Sequence, residues 1–316
     1  MRILIASSID PKKVEQLKQQ HDVICAFNAK EDVLKSQIKD REVLIFRSGV
    51  TISAAVMESA PELKLLVRAG SGTDNIDLDY VEKRGLTLIR VPQPGAKAVA
   101  EMAFGMMIGL ARNIVHADSL LRRGRWAKSE MTGYLLNGKT LGIVGCGNIG
   151  TRVGRMGVVW EMNAIGCVDH LTPARAEDQM AHNHIRFTDF EEVVTKADFL
   201  SIHVPKKPST LNMINKSVFD KMKDGAFLIN LARGGVVNEQ DLLAALKSGK
   251  LRGAALDVHE NEGEGKISPL ADLPNVILTP HIGAQAVDAQ REIGERIQRI
   301  LDDYSAGTLN PQAHVA

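Results

Sequence analysis

Lys139-Thr140-Leu141-Gly142-Ile143-Val144-Gly145-Cys146-Gly147-Asn148-Ile149-Gly150 decides the fold. An apolar run ends in G-x-G-x-x-G at Gly145, Gly147 and Gly150. This reads as a buried strand turning sharply into a helix whose N-terminus can hold a pyrophosphate. Gly145, Gly147, Asn148, Ile149 and Gly150 are therefore candidate cofactor-binding residues. The next apolar run, Ala164–Val168, ends at Asp169. A carboxylate there suits the adenosine ribose hydroxyls of NAD and would repel a 2′-phosphate. Arg175 lies further along, so NAD is the expected cofactor.

More than a hundred residues precede this turn, and they carry their own strand and helix signals. Strands are expected at Arg2–Ser7, Asp22–Phe27, Val43–Arg47, Leu63–Arg68 and Leu86–Val91, with helical runs between them. Short apolar strands alternating with helices imply a parallel sheet covered on both faces. Pro92-Gln93-Pro94-Gly95 reads as a break. A long helix is expected from Ala98 to about Arg112, continuing to Arg123. Strands resume at Leu141–Val144, Ala164–Val168, Phe199–His203, Ala226–Leu231, Gly253–Leu256 and Val276–Leu278. Val287–Tyr304 reads as one amphipathic helix. The expected fold is α/β with two domains. A flavodoxin-like substrate domain spans residues 1–97 plus 286–316, and a Rossmann dinucleotide-binding domain, 98–285, is inserted in it.

Composition narrows the function. The 316 residues carry a formal net charge of +1, which gives no support for nucleic-acid or anionic-membrane partners. The apolar stretch Met102–Ala111 is too short to span a bilayer and suits a core or subunit-contact helix. Cys25, Cys146 and Cys167 show no metal spacing, and so sparse a set fits a reducing compartment. Asp10 and Pro11 leave no room for a signal peptide. A cytoplasmic protein without a metal is expected.

Three residues, each just after an expected strand, carry the chemistry: Arg233, Glu262 and His281. A histidine can give a proton to a developing alkoxide near neutral pH. A glutamate can orient that imidazole and favour its protonated form. An arginine can clamp a carboxylate through two hydrogen bonds. The set suits hydride transfer to a 2-oxo acid. Ser201-Ile202-His203-Val204-Pro205, at another strand end, offers His203, Val204 and Pro205 as cofactor wall.

On these motifs the chain resembles the D-isomer-specific 2-hydroxyacid dehydrogenases, most of all their phosphoglycerate dehydrogenase branch. The resemblance also rests on Arg68–Asp77, Ala98–Met102, Asn230–Val237, Gly253–Val258 and Asn275–Gly283. It implies that Arg233 binds the substrate carboxylate and that His281 is the acid/base paired with Glu262. It implies that Asp257 contacts the nicotinamide carboxamide, and that Leu231, Ala232, Arg233 and Gly283 line the nicotinamide. It implies that Ser71 and Gly72 hold the carboxylate through their backbone and that Arg68 faces a substrate phosphate. The partner is then a small anionic 2-hydroxy or 2-oxo acid, and the assembly a homodimer built on the long helix. A basic cluster, Arg122, Arg123, Arg125 and Lys128, would reach a partner's substrate or remain a solvated helix end. Ending at Ala316, the chain is expected to lack a regulatory domain. Gly263 stands where the family usually has proline, and Glu260 and Glu264 rival Glu262. Hydroxypyruvate or glyoxylate reduction, a phosphonate or sulfonate analogue as substrate, and a dehydrogenase-like corepressor remain as alternatives.

Overall fold

A computed structural model describes residues 1–310. The chain divides into two compact units, Met1–Ala98 with the segment from Ala284 onward, and Val99–Gly283.

The first unit begins with β1 (Arg2–Ile5), α1 (Pro11–Gln20), β2 (Asp22–Cys25), α2 (Glu31–Gln37) and β3 (Val43–Phe46). It continues with α3 (Ala54–Glu58), β4 (Leu65–Arg68), α4 (Leu78–Arg84) and β5 (Thr87–Arg90). The five strands are parallel in the order β2-β1-β3-β4-β5, the flavodoxin-like order. Alternation builds both faces, because successive strand residues point to opposite sides. Ile3, Ile5, Val43, Ile45, Leu65 and Val67 form one core with Val14 and Leu17 of α1. Leu4, Leu44, Phe46 and Leu66 form the other, with Leu34, Ile38 and Val56.

The connection differs from expectation in two places. Helix α5 (Gln93–Ala111) starts inside the expected break. Pro94 sits in its first turn, where a missing N–H costs nothing because no intrahelical partner exists. The helix also stops short of Arg123. Asn113 takes a left-handed φ of +53°, which asparagine tolerates, and α6 (Ile114–Arg122) leaves at 63°. Among the described residues no single helix is long and apolar enough to cross a membrane. The bent pair α5–α6 passes by length and composition alone, and Phe104, Met106, Met107 and Leu110 of α5 are buried in the protein.

The second unit contains β6 (Thr140–Val144), α7 (Gly150–Val159), β7 (Asn163–Cys167), α8 (Pro173–Asn183), β8 (Arg186–Phe187) and α9 (Phe190–Lys196). Then come β9 (Phe199–Ile202), α10 (Lys216–Lys221), β10 (Ala226–Asn230), α11 (Glu239–Lys247), β11 (Leu251–Leu256) and β12 (Val276–Leu278). Its parallel sheet runs β12-β11-β10-β9-β6-β7-β8. The order reverses between β6 and β9, and ligands of open parallel sheets bind at such a switch, outside the strands' carboxyl ends. The two-residue β8 was not expected, since so short a strand carries no periodicity.

Helix α12 (Val287–Ser305) belongs to the first unit. Its Ile293, Ile297, Ile300 and Leu301 join the core of Ile3 and Leu17. Their spacing of four, three and one is that of a helix with one apolar stripe.

Candidate active site

The glycine turn follows β6. Gly145 has φ +96°, and a Cβ there would lie 2.6 Å from the His203 carbonyl oxygen. A Cβ on Gly150 would meet the Gly145 carbonyl oxygen at 2.1 Å. Both glycines are demanded by the protein's own packing. Gly147 differs: nothing lies within 4 Å of its would-be Cβ. It is exposed, so the turn leaves room there for the approach of a group outside the chain. That pattern fits a pyrophosphate lying along the turn and the N-terminus of α7. Gly147→Ala is expected to leave the melting temperature within a degree or two and to weaken NADH binding at least tenfold, read by fluorescence titration. Parental NADH affinity in that variant would remove Gly147 from the cradle.

Cys146 points inward, and burial pushes its thiol up to about 12, so it stays protonated and packs as an apolar group. Asp169 is exposed, two residues beyond β7. Arg175 reaches back, its Nη2 donating to the Cys146 carbonyl at 3.1 Å. Across the switch, His203 follows β9. Its Nε2 lies 2.8 Å from Ser201 Oγ, and burial drives the imidazole down to about 3. A neutral ring beside the glycine turn has no proton to give as an acid near neutral pH. Val204 touches the same turn, 2.9 Å from the would-be Cβ of Gly145, and Pro205 is exposed just beyond it.

Arg233 sits on the turn after β10. Buried Asn230 shapes this turn, accepting from Ala232 N at 3.0 Å and donating to the Arg233 carbonyl at 3.3 Å. Leu231 and Ala232 are buried, and Arg233 Nη1 donates to the Ala232 carbonyl at 2.7 Å. A Cβ at Gly234 would lie 1.7 Å from the His259 carbonyl oxygen. The Arg233 turn therefore lies directly against the loop that carries Glu262.

Glu262 and His281 meet: Oε2 accepts from Nδ1 at 2.9 Å. The other oxygen accepts from the His259 N–H at 3.2 Å. Burial pushes the Glu262 carboxyl up, but the hydrogen bond and charge of His281, with the His259 N–H, outweigh it and hold it below the usual range. Of the rivals, Glu260 is turned to Glu239, accepting from its N–H at 2.9 Å, and Glu264 is exposed on the loop. Gly263 has φ +126°, which a proline ring, fixed near −65°, cannot adopt.

His281 has φ +55°, a conformation costing on the order of 1–3 kcal/mol for a non-glycine residue. Asp257 holds it there. The Asp257 carbonyl accepts from His281 N at 2.7 Å. Its carboxylate, 1% exposed, accepts from Thr279 Oγ1 at 2.6 Å, Ile282 N at 2.8 Å and Gly283 N at 2.7 Å. A carboxylate offers about four acceptor positions, and these three donors occupy most of them. The sequence reading assigned Asp257 only to the nicotinamide carboxamide and missed its hold on residues 279–283, which depends on pairing across strands.

In the first unit, Arg68 ends β4 and is 4% exposed. Its Nε donates to the Gly72 carbonyl at 2.8 Å, and its guanidinium lies over the Phe46 ring at 5.9 Å. It thus braces the loop bearing Ser71 and Gly72. The sequence reading overlooked Arg47, just past β3 and 8% exposed. Its Nε is buried without a hydrogen-bond partner, while Nη1 reaches Gln285 Oε1 at 3.3 Å. Burial pushes this guanidinium below its usual range. It borders a cavity of about 410 Å³ with Lys12 and Arg291. The signal was present: an arginine directly after the wholly apolar Val43-Leu44-Ile45-Phe46.

Residues 104–283 match the model for the D-isomer specific 2-hydroxyacid dehydrogenase, NAD binding domain, and the chain belongs to that family. A D-3-phosphoglycerate dehydrogenase of Methanocaldococcus jannaschii is 37% identical over 305 residues, 95% of this chain and 57% of that protein. A hydroxypyruvate reductase of Thermotoga maritima is 34% identical over 306 residues, 96% of this chain and 98% of the relative. The structure of a D-lactate dehydrogenase from Aquifex aeolicus, complexed with NAD and lactic acid, superposes with a TM-score of 0.86. It is 27% identical, with 98% of this chain and 97% of that one covered. The chain spans little more than half the length of the phosphoglycerate dehydrogenases it matches.

Proposed function

We propose that the protein is an NAD-dependent oxidoreductase acting on a D-2-hydroxy acid and its 2-oxo acid, with a second anionic group at the substrate's far end, as in 3-phosphoglycerate. The observation that carries this reading is the 2.9 Å bond between His281 Nδ1 and Glu262. With Nδ1 engaged, Nε2 is the nitrogen that gives the proton to the carbonyl oxygen during reduction and takes it back during oxidation. Glu262 stabilises the imidazolium and fixes its tautomer. Arg233 clamps the carboxylate. Gly145–Gly150, with Asp169 at the ribose, would hold NAD, whose nicotinamide would supply or accept the hydride when bound. His203, Val204, Pro205, Leu231, Ala232 and Gly283 wall the cofactor, and Asp257 contacts the carboxamide.

Substrate choice is read from NAD(H)-dependent turnover over 3-phosphoglycerate, glycerate, D-lactate, hydroxypyruvate, glyoxylate, sulfolactate and a phosphonate analogue. Two buried arginines in the first unit, Arg47 and Arg68, support a phosphorylated or similarly anionic acid. Arg47→Ala is expected to cost about 10- to 100-fold in kcat/KM on such an acid, the usual worth of a charge-assisted hydrogen bond, and less than threefold on glyoxylate. Equal losses on both would refute an anion role for Arg47. Hydroxypyruvate reduction is the second reading, supported by the Thermotoga maritima relative matched over nearly its full length. NAD binding with no turnover on any acid would favour a corepressor.

A second copy of the chain is the proposed partner. Ile114, Val115 and Leu121 of α6, with Trp126 at 77% exposure and Leu135, leave apolar side chains in solvent, as an uncovered interface does. Light scattering that returned a monomer at micromolar concentration would remove this reading.

A further inference from the structure

Helix α11 begins at Glu239, whose side chain is 4% exposed. This buried carboxylate makes a reciprocal pair with the loop after β11. Its Oε1 accepts from the Glu260 N–H at 2.7 Å, and its own N–H donates to Glu260 Oε1 at 2.9 Å. Two residues along that loop is Glu262, and one residue back is His259. The His259 N–H reaches Glu262, its carbonyl presses on Gly234, and its Nε2 lies 3.0 Å from the Thr279 carbonyl oxygen. Arg233 and Glu239 bracket one short strand-to-helix segment. Ile214 and Val237 pin that segment with a bridge of their own.

We propose that Glu239 is a positioning residue for the reaction: it ties the Glu262 loop to the segment carrying Arg233, so that carboxylate clamp and proton donor keep a fixed separation. The inference rests on the dehydrogenase reading above. A surface acid at the first turn of a helix gains from the helix dipole without being buried. Glu239 is buried, and that burial pushes its carboxyl up. The cost of keeping a carboxylate there is offset by the backbone N–H of Glu260 that it satisfies. The groups facing it are Glu260 and His259. Helix capping does not account for the arrangement, because Asn238 already caps α11, accepting from Asp241 N at 2.9 Å.

The test uses the full chain with Glu239→Ala, Glu239→Asp and Glu239→Gln. Alanine removes the acceptor. Aspartate keeps an acid at the helix start but falls one methylene short, so it serves where alanine does not fold. Glutamine keeps an oxygen at the same reach. Two readouts are taken: the split between kcat and KM, and the NMR resonance of the His281 Nδ1 proton held by Glu262. Alanine and aspartate are expected to lower kcat at least tenfold, with KM and NADH affinity within threefold, and to shift and broaden that resonance. Glutamine is expected to stay within twofold of the parent in kcat, with the parental resonance. A fall in melting temperature with parental kcat and resonance would reduce Glu239 to a structural residue and overturn the proposal. So would glutamine losing as much as alanine. If the parent turns over no 2-oxo acid, the dehydrogenase reading fails by itself. The resonance in the alanine and glutamine chains still decides whether Glu239 sets the His281–Glu262 contact.

Discussion

Replacing His281 with alanine is expected to lower kcat for 2-oxo acid reduction by about 10²- to 10⁴-fold, the usual range for a lost general acid. NADH affinity should stay within twofold, because the glycine turn lies on a different loop. The pH dependence should change as well. On that assignment reduction takes up a proton and oxidation releases one through the imidazole, so the two directions should respond to pH in opposite senses. In His281→Ala both profiles should flatten. Glu262 remains ionised across neutral pH, since its bonds to His281 and the His259 N–H hold its carboxyl low. Those bonds contribute stability above the ordinary carboxylate range that is lost as pH falls through the depressed value. Steady-state rates between about pH 6 and 9, with equal NADH saturation, are the measurement. An alanine chain with parental kcat and a parental profile would end the acid/base assignment.

Arg233→Ala is the second large effect. Removing one partner of a hydrogen-bonded charge pair costs about 2–5 kcal/mol, or roughly 30- to 5,000-fold in kcat/KM. The loss should fall on substrates with a carboxylate. A carbonyl compound without one should lose less than threefold relative to its own low parental rate. Arg233→Lys should recover only part of the activity, since an ammonium cannot offer the two parallel N–H groups of a guanidinium. Asn230 and Gly234 hold the turn through its backbone, and the melting temperature of the alanine chain separates a loss of the clamp from a loss of fold. An equal loss on carboxylate and non-carboxylate substrates would show that Arg233 shapes the site without clamping the acid.

The parallel sheets were legible because most of their strands are short apolar runs, many of them closed by glycine, proline or aspartate. Val43-Leu44-Ile45-Phe46 and Leu65-Leu66-Val67 admit no other reading once helices flank them. Local chemistry misled at the α5 junction, where Pro92–Gly95 looks like a break but Pro94 fits a first turn. Asn113 looked like one more helical residue, and only its positive φ reveals the bend. Within the candidate site, residue types and order were legible and partnerships were not. The family pattern singled out Glu262 among three nearby acids, and the structure brings it to His281 and turns Glu260 to Glu239. Asp257's three donors lie more than twenty residues away, and no local pattern announces them. Arg47 was hidden because it was read as the end of a strand.

The grip of Asp257 on residues 279–283 has a consequence for how this segment can vary through evolution. The carboxylate holds Ile282 and Gly283 by their backbone N–H groups, while the Ile282 side chain is exposed. Position 282 is thus open to drift among side chains of any polarity and closed to proline alone, which has no N–H to offer. Gly283 is closed to everything larger, because a Cβ would lie 2.9 Å from the Asp257 carboxylate. Neutral variation can therefore accumulate one residue away from the proton donor without moving it.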